Sequence, residues 1–308
     1  MAKPSHIDGY DPAVTEAAEG VLVTLLRGLG PWKESVFLVG GLTPRYLVSA
    51  KPPEVPRHAG TGDVDIVVSL EILGETEAYR TLEENLEAMG FHRATNDSGK
   101  QQNWRWFTRV EHGPTMILEF LTEHLELGGG KVGELTTDGK VSALNIPHSS
   151  MVFDHHRSME ITADLLGGKG KATEVIRYAD IVTFTCLKGF AFNDRGESKD
   201  AHDLVYCLEH GEGRVDAALA AFRGALTGPH RESIVRALNV LHARFCTDDK
   251  AEGFEKDGPV KFALFEDDGD GDRDRRILRQ RRAATIVDSL VQPLLHQIKE
   301  STRSRQAD

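Results

Sequence analysis

Two aspartates one residue apart, Asp63 and Asp65, stand at the mouth of a strongly apolar run in GTGDVDIVVSL (residues 60–70). The β-branched residues that follow, Ile66-Val67-Val68, predict a strand entering a core. Aspartate is a poor strand former and is seldom buried without a partner. Side chains alternate along a strand, so Asp63 and Asp65 share one face with Val64 opposite, about 6–7 Å apart. Such a pair needs compensation, and hard cations held between carboxylates and substrate phosphates supply it. Two ions about 3.5–4 Å apart clamp the attacking and leaving oxygens of an in-line phosphoryl displacement. A third carboxylate is then expected from a neighbouring strand. Glu119 is the only acid within the otherwise apolar TMILEFLT (115–122).

Upstream, SVFLVGG (35–41) reads as a strand ending in the Gly40-Gly41 turn. A short helix follows in LTPRYLVSA (42–50), with Thr43 as N-cap and Pro44 at the first helical position. Glycines allow a tight backbone whose N–H groups face phosphate oxygens, and a helix N-terminus adds a favourable dipole. Thr43 offers a hydroxyl beside them.

The rest of the chain predicts a mixed α+β architecture. Residues 11–29 have apolar positions at helical spacing, 51–60 are a loop with three prolines, and 76–90 form an amphipathic helix stopped by Gly90. Strands are expected over 91–95, 102–110 and 115–122, the last two joined by a hairpin at residues 111–114. Residues 128–140 read as loop, and 141–162 as irregular with a strand at the end. Helices are expected over 173–193, 198–210, 214–226, 230–246 and, after an acidic, Gly-rich stretch (247–272), about 274–299. The expected domains are therefore residues 1–165, with the mixed sheet, and 166–308, all helical. At 308 residues the chain is long enough for two packed units.

Composition narrows the classes. Hydrophobic content of 40% and charged content of 28% are those of a globular chain. There is no run of 18 apolar residues and no leader in MAKPSHIDGYDP, so neither a membrane span nor a secretory signal is expected. Three scattered cysteines, Cys186, Cys207 and Cys246, read as reduced thiols of a cytoplasmic protein. A net charge of −11 argues against a protein that coats nucleic acid. The best local basic candidate is RDRRILRQRR (273–282), directly after the acidic EDDGDGD (266–272), which neutralises part of it.

In order, then, the chain carries a strand, Gly-Gly, a helix, an Asp-x-Asp strand and a later carboxylate. It resembles the nucleotidyltransferases with a DNA polymerase β-type palm. The segment KGFAFNDRGESKDAHDLVYCL (188–208) resembles the lysine, arginine and Lys-Asp-x-x-Asp-Leu signature of AbiEii-type nucleotidyltransferases, the toxins of toxin–antitoxin and phage-defence pairs that include the mycobacterial MenT group. The likeness covers roughly residues 35–210. Its spacer of 21 residues between Gly41 and Asp63 is longer than usual.

The resemblance implies transfer of NMP from an NTP to an acceptor, often a tRNA 3′ end, in a palm followed by a helical domain that completes the active-site cleft. Asp63, Asp65 and Glu119 would hold Mg²⁺, as a two-ion site or with Mn²⁺ in its place. Gly40, Gly41 and Thr43 would cradle the phosphates, with Lys188 against the β- and γ-phosphates. Arg195 and Asp200 would join the nucleotide-binding set, Asp200 positioning either Lys188 or the nucleotide. A cognate antitoxin is an implied partner. Small-molecule or protein nucleotidylation by the same site, and a catalytically inactive binding or antitoxin module, are the alternatives.

Plainer readings accompany several of these residues. Glu119 suits an edge-strand charge paired with Arg105 or Arg109, and Lys188 a snorkelling lysine. Lys199-Asp200 suits a helix start with Ser198 as cap. Trp104 and Trp106 read as core, and His155-His156 as surface or packing. The acidic stretch at 267–274 fails as a calcium loop, because Arg273 stands where that loop needs glycine.

Overall fold

The computed structural model describes residues 4–68, 76–96, 98–109, 114–124, 126, 128–133, 141–267 and 272–307. The chain is mixed α+β, with a mixed sheet and a C-terminal helical region. It divides into two compact units, one of residues 11–43 and 60–180, the other of residues 1–10, 44–59 and 181–308. The boundary thus falls at 180/181 rather than at 165/166, and the proline-rich 51–59 belongs to the helical unit.

The sheet unit opens with α1 (Pro12–Leu29), where Asp11 accepts from the Ala13 N–H at 2.9 Å and Pro12 occupies the first helical position. Among the described residues the sheet has nine strands: β1 (Val36–Val39), β2 (Asp63–Val68), β3 (His92–Thr95), β4 (Gln101–Arg109), β5 (Thr115–Thr122), β6 (Val132–Gly133), β7 (Ala143–Asn145), β8 (His156–Asp164) and β9 (Lys171–Ala179). Their order is β3-β4-β5-β2-β1-β9-β8, with β7 on β5 and β6 on β7. β2 runs antiparallel to β1 and parallel to β5, and β4 is antiparallel to β5.

Period-two alternation sorts the central strands into two faces. Val64, Ile66, Leu118, Phe120 and Trp106 point one way and have no exposed surface. Asp63, Asp65, Ile117, Glu119, Arg105 and Phe107 point the other way and are half-buried. α1 packs across β2 and β5 and against the helix Thr76–Ala88. Trp106 donates its Nε1–H to the Asn103 carbonyl, so the core reading holds for this ring, while Trp104 is half-buried.

The helix expected over 173–193 begins only at Ile181. Residues 171–179 form β9, paired antiparallel with β8 along its whole length. The burial explains it: Ala172, Glu174, Ile176 and Tyr178 are buried while Lys171, Thr173 and Val175 are exposed, a period of two.

The helical unit carries the single turn Pro44–Leu47 and then α2 (Ile181–Arg195), α3 (Ser198–His210), α4 (Arg214–Ala225), α5 (Arg231–Phe245), α6 (Asp257–Phe265) and α7 (Arg273–Ala307). Helix α6 was not foreseen within the acidic stretch, and α7 outruns the expected 274–299. Phe184, Phe192, Phe222, Phe245, Phe262 and Phe265 fill the core. None of the three cysteines forms a disulfide, and all are buried. No described helix is long and apolar enough to cross a membrane. Ser69, Leu70, the expected hairpin turn at 111–113, the loop 134–140 and the acidic residues 268–271 lie outside the described residues.

Candidate active site

Asp65 and Glu119 are register partners on the parallel strands β2 and β5, and Asp63 lies two residues before Asp65 on the same face. Burial pushes the Glu119 carboxyl up to about 8, and the charges of Asp65 and Asp63 push the same way against Arg105. Arg105 Nε stands 3.0 Å from Glu119 Oε1, yet its N–H is not aligned for a hydrogen bond. Glu119 does not lie at an edge, since β5 is flanked by β4 and β2; its pairing with Arg105 is present all the same. Arg105 is the cation set against Glu119, and the three carboxylates offer oxygen ligands from two adjacent strands. An all-oxygen set fits a hard divalent cation.

Gly40 meets this cluster directly. It has φ +72°, and a Cβ placed there would lie 1.9 Å from Asp65 Oδ2. Both the left-handed backbone and the close approach of the carboxylate exclude a side chain. Gly40→Ala is expected to lower the melting temperature, about 1–2 kcal/mol coming from the backbone conformation alone and more from displacing Asp65. Thermal denaturation checks this; an unchanged transition contradicts it.

The turn Gly40–Leu42 leads into Thr43 and then the single helical turn Pro44–Leu47. So short a helix contributes little dipole, which removes that part of the phosphate-binding expectation. Thr43 does not cap it in the expected way; its hydroxyl is fully buried and makes no hydrogen bond among the described residues.

The helical unit gathers a second set. Lys188 on α2 does not snorkel to solvent. It is 7% exposed, and its Nζ donates to Asp200 Oδ1 at 3.0 Å and Asp203 Oδ2 at 2.6 Å. Lys199 donates to both oxygens of Asp203 at 2.9 Å. Arg195 forks onto Asp200, Nε at 2.7 Å and Nη2 at 2.8 Å, and stays 52% exposed. Asp200 is 1% and Asp203 0% exposed. Burial alone would raise the Asp203 carboxyl, but Lys188 and Lys199 hold it well below the usual range. Asp200 is lowered in the same manner by Lys188 and Arg195. The residue capping α3 is Glu197, not Ser198, and no side chain makes the cap bond.

One member of this network had no sequence signal. His58, in the proline-rich loop, sits 2.9 Å from Asp203 Oδ1 through Nε2, and Tyr206 donates to the Pro56 carbonyl at 2.9 Å nearby. Loops lack periodicity, so nothing in the sequence marks which loop residue turns inward. Burial lowers the His58 pKa to about 4, against the pull of Asp203. Its folded value lies below the unfolded 6.5, so its contribution is present above that pH and lost as pH falls toward 4. Denaturant midpoints measured between pH 7 and 4 should therefore drop, and His58→Gln should flatten the drop.

His58, His202 and Asp203 bring ligand atoms within 4.8 Å of one another. Asp203 is already saturated by two ammonium groups and His58, and those ammonium groups repel a cation, so this cluster does not suit a metal.

Among the sequence-nominated residues, Gly40, Gly41, Thr43, Asp63, Asp65 and Glu119 fall in the sheet unit; Lys188, Arg195 and Asp200 fall in the helical unit. Three of the six arginines in the nominated basic stretch carry acidic partners. Arg276 pairs with Asp267 at 3.0 Å, Arg279 with Glu266 and Arg282 with Glu209. A cleft of about 720 Å³ opens over α5, beside Arg231, Val235, Arg236 and Ile298, and none of the nominated side chains lines it. No protein-family model matches the chain, and no curated protein matches it in sequence.

Proposed function

We propose that this chain is a nucleotidyltransferase whose sheet unit is a DNA polymerase β-type palm, moving NMP from an NTP to an acceptor hydroxyl with release of pyrophosphate. The observation that carries this reading is the convergence of Asp63, Asp65 and Glu119 on one sheet face beside a Gly40 with no room for a side chain.

The three carboxylates would hold Mg²⁺, or Mn²⁺ in its place, which would supply neutralisation of the triphosphate and a lowered pKa at the acceptor hydroxyl. Asp65, pressed against Gly40, ties the phosphate turn to the acidic cluster, so a shift in one moves the other. Arg105 restrains Glu119 from the neighbouring strand. In the helical unit Asp200 holds Lys188 and Arg195 in one network. The exposed part of the Arg195 guanidinium is the donor in that network with surface left to meet a phosphate. Lys188, enclosed by two aspartates, supports the network's charge.

The AbiEii-type resemblance makes an RNA 3′ hydroxyl the first acceptor, tRNA foremost, and makes the chain the toxin of an antitoxin-paired system working in the cytoplasm. One observation favours a second reading, transfer onto a small-molecule or protein hydroxyl. Arg276, Arg279 and Arg282, in the best local basic stretch, each carry an acidic partner within the protein. An inactive binding module is disfavoured, because a scaffold has no need for three mutually repelling acids.

The test incubates the protein with Mg²⁺, total RNA and each labelled NTP in turn, with Asp63→Ala/Asp65→Ala as control. Label should enter RNA with the native chain only. Equal labelling by both proteins removes the mechanism, and label on protein or small molecules alone selects the second reading.

A further inference from the structure

Beside the carboxylates, the same sheet face carries a row of apolar and aromatic residues. Asp63 is in register with Ile117, Ile117 with Phe107, and Phe107 with His92, so the row crosses β2, β5, β4 and β3 on one face. Phe107 and Ile117 are half-buried and His92 is exposed, whereas the adjacent Trp106, facing the other way, has no exposed surface. The His92 and Phe107 rings meet at 5.7 Å with 50° between their planes. One pair further along, Arg109, opposite Thr115, is exposed and makes no ion pair among the described residues. Aromatic surface with an adjacent exposed guanidinium suits a base and its phosphate.

Sheet order decides which nucleotide belongs there. Gly40 follows β1, on one side of the carboxylate strand β2, while Phe107 and His92 lie on β4 and β3, on the other side. With strands about 4.8 Å apart, β4 is about 10 Å from β2, within reach of one nucleotide. In-line displacement puts the attacking oxygen opposite the leaving pyrophosphate. A triphosphate at Gly40 therefore leaves the β4–β3 side to the acceptor.

Resting on the transferase reading, we propose that Phe107 and His92 stack the unpaired terminal base of a single-stranded RNA acceptor, with Arg109 contacting its phosphate. This places RNA recognition on the sheet unit rather than on the arginines of α7.

The test is fluorescence anisotropy of a labelled short oligo(A) RNA, with a duplex RNA for comparison, on the native chain, Phe107→Ala, Phe107→Leu, Phe107→Trp and Arg109→Gln. The native chain should prefer the single strand. Losing the ring should weaken binding roughly 5- to 150-fold, the range of one base–aromatic stack. Phe107→Leu keeps the apolar bulk, so its loss of affinity reports stacking rather than misfolding, and Phe107→Trp should restore binding. Arg109→Gln should reduce the salt slope by about 0.7. Unchanged affinity in Phe107→Leu, or no single-strand binding by the native chain, overturns the assignment. So does a loss confined to the binding of a fluorescent NTP, which would give the ring to the donor nucleotide. Label transfer on the same samples separates the two levels. RNA binding through Phe107 without any transfer sinks the enzymatic reading alone; transfer at limiting RNA undiminished by Phe107→Leu sinks the platform alone.

Discussion

Asp203→Ala is expected to cost about 3–5 kcal/mol of folding stability, the scale for stripping one partner from a buried ion pair. Asp203 has no exposed surface and accepts from Lys188, Lys199 and His58. Without it Lys199 loses its carboxylate, and Lys188 keeps only Asp200, which Arg195 already shares. Chemical denaturation measures the loss. Because replacing all members of such a set by apolar groups is often close to neutral, Asp203→Leu combined with Lys188→Met and Lys199→Met should recover much of it. A single variant as stable as the native chain would mean the network contributes nothing. The acid side follows with the same sign. Asp200 and Asp203 titrate below their unfolded value of 3.8, so their contribution is full above that pH and is lost as pH falls below it.

Asp65→Asn, the same change of charge in the other unit, is expected to act oppositely on stability. Its removal takes one repelling charge from Glu119, whose carboxyl burial pushes up to about 8 with Asp65 and Asp63 acting the same way. Without added metal the melting temperature should hold or rise. Nucleotide transfer should fall by roughly 10³-fold or more, the scale on which phosphoryl transfer depends on charge stabilisation. Loss of activity with gain of stability is the mark of a functional cluster kept at a folding cost. A purely structural role predicts the reverse, with a lower melting temperature and no relation to transfer.

The contrast between the two aspartate sets shows what the chain discloses before it folds. Asp63, Asp65 and Glu119 were legible because strand alternation fixes faces, and an acid within an apolar strand stands out at once. Helix α3 was legible to the residue, bounded by Ser198 and Gly211. β9 was not, because a segment of about nine residues with Val, Ile and Ala fits both periods until its pairing with β8 is known. The burial of Lys188 and the inward turn of His58 depend on which loop packs on α3, a long-range fact without local pattern. The arginines of α7 stood out as the best local basic candidate, and the adjacent acidic stretch foretold the Glu266 pairing, but nothing local foretold that Glu209 on α3 would meet Arg282.

The most direct measurement is Mn²⁺ binding followed by electron paramagnetic resonance on the native chain, Asp63→Ala/Asp65→Ala and Glu119→Ala. Saturable binding at one or two sites per chain, weakened at least about tenfold in both variants, is the expected result. Equal Mn²⁺ affinity in all three proteins, or none in the native chain, would contradict a cation site built from these carboxylates.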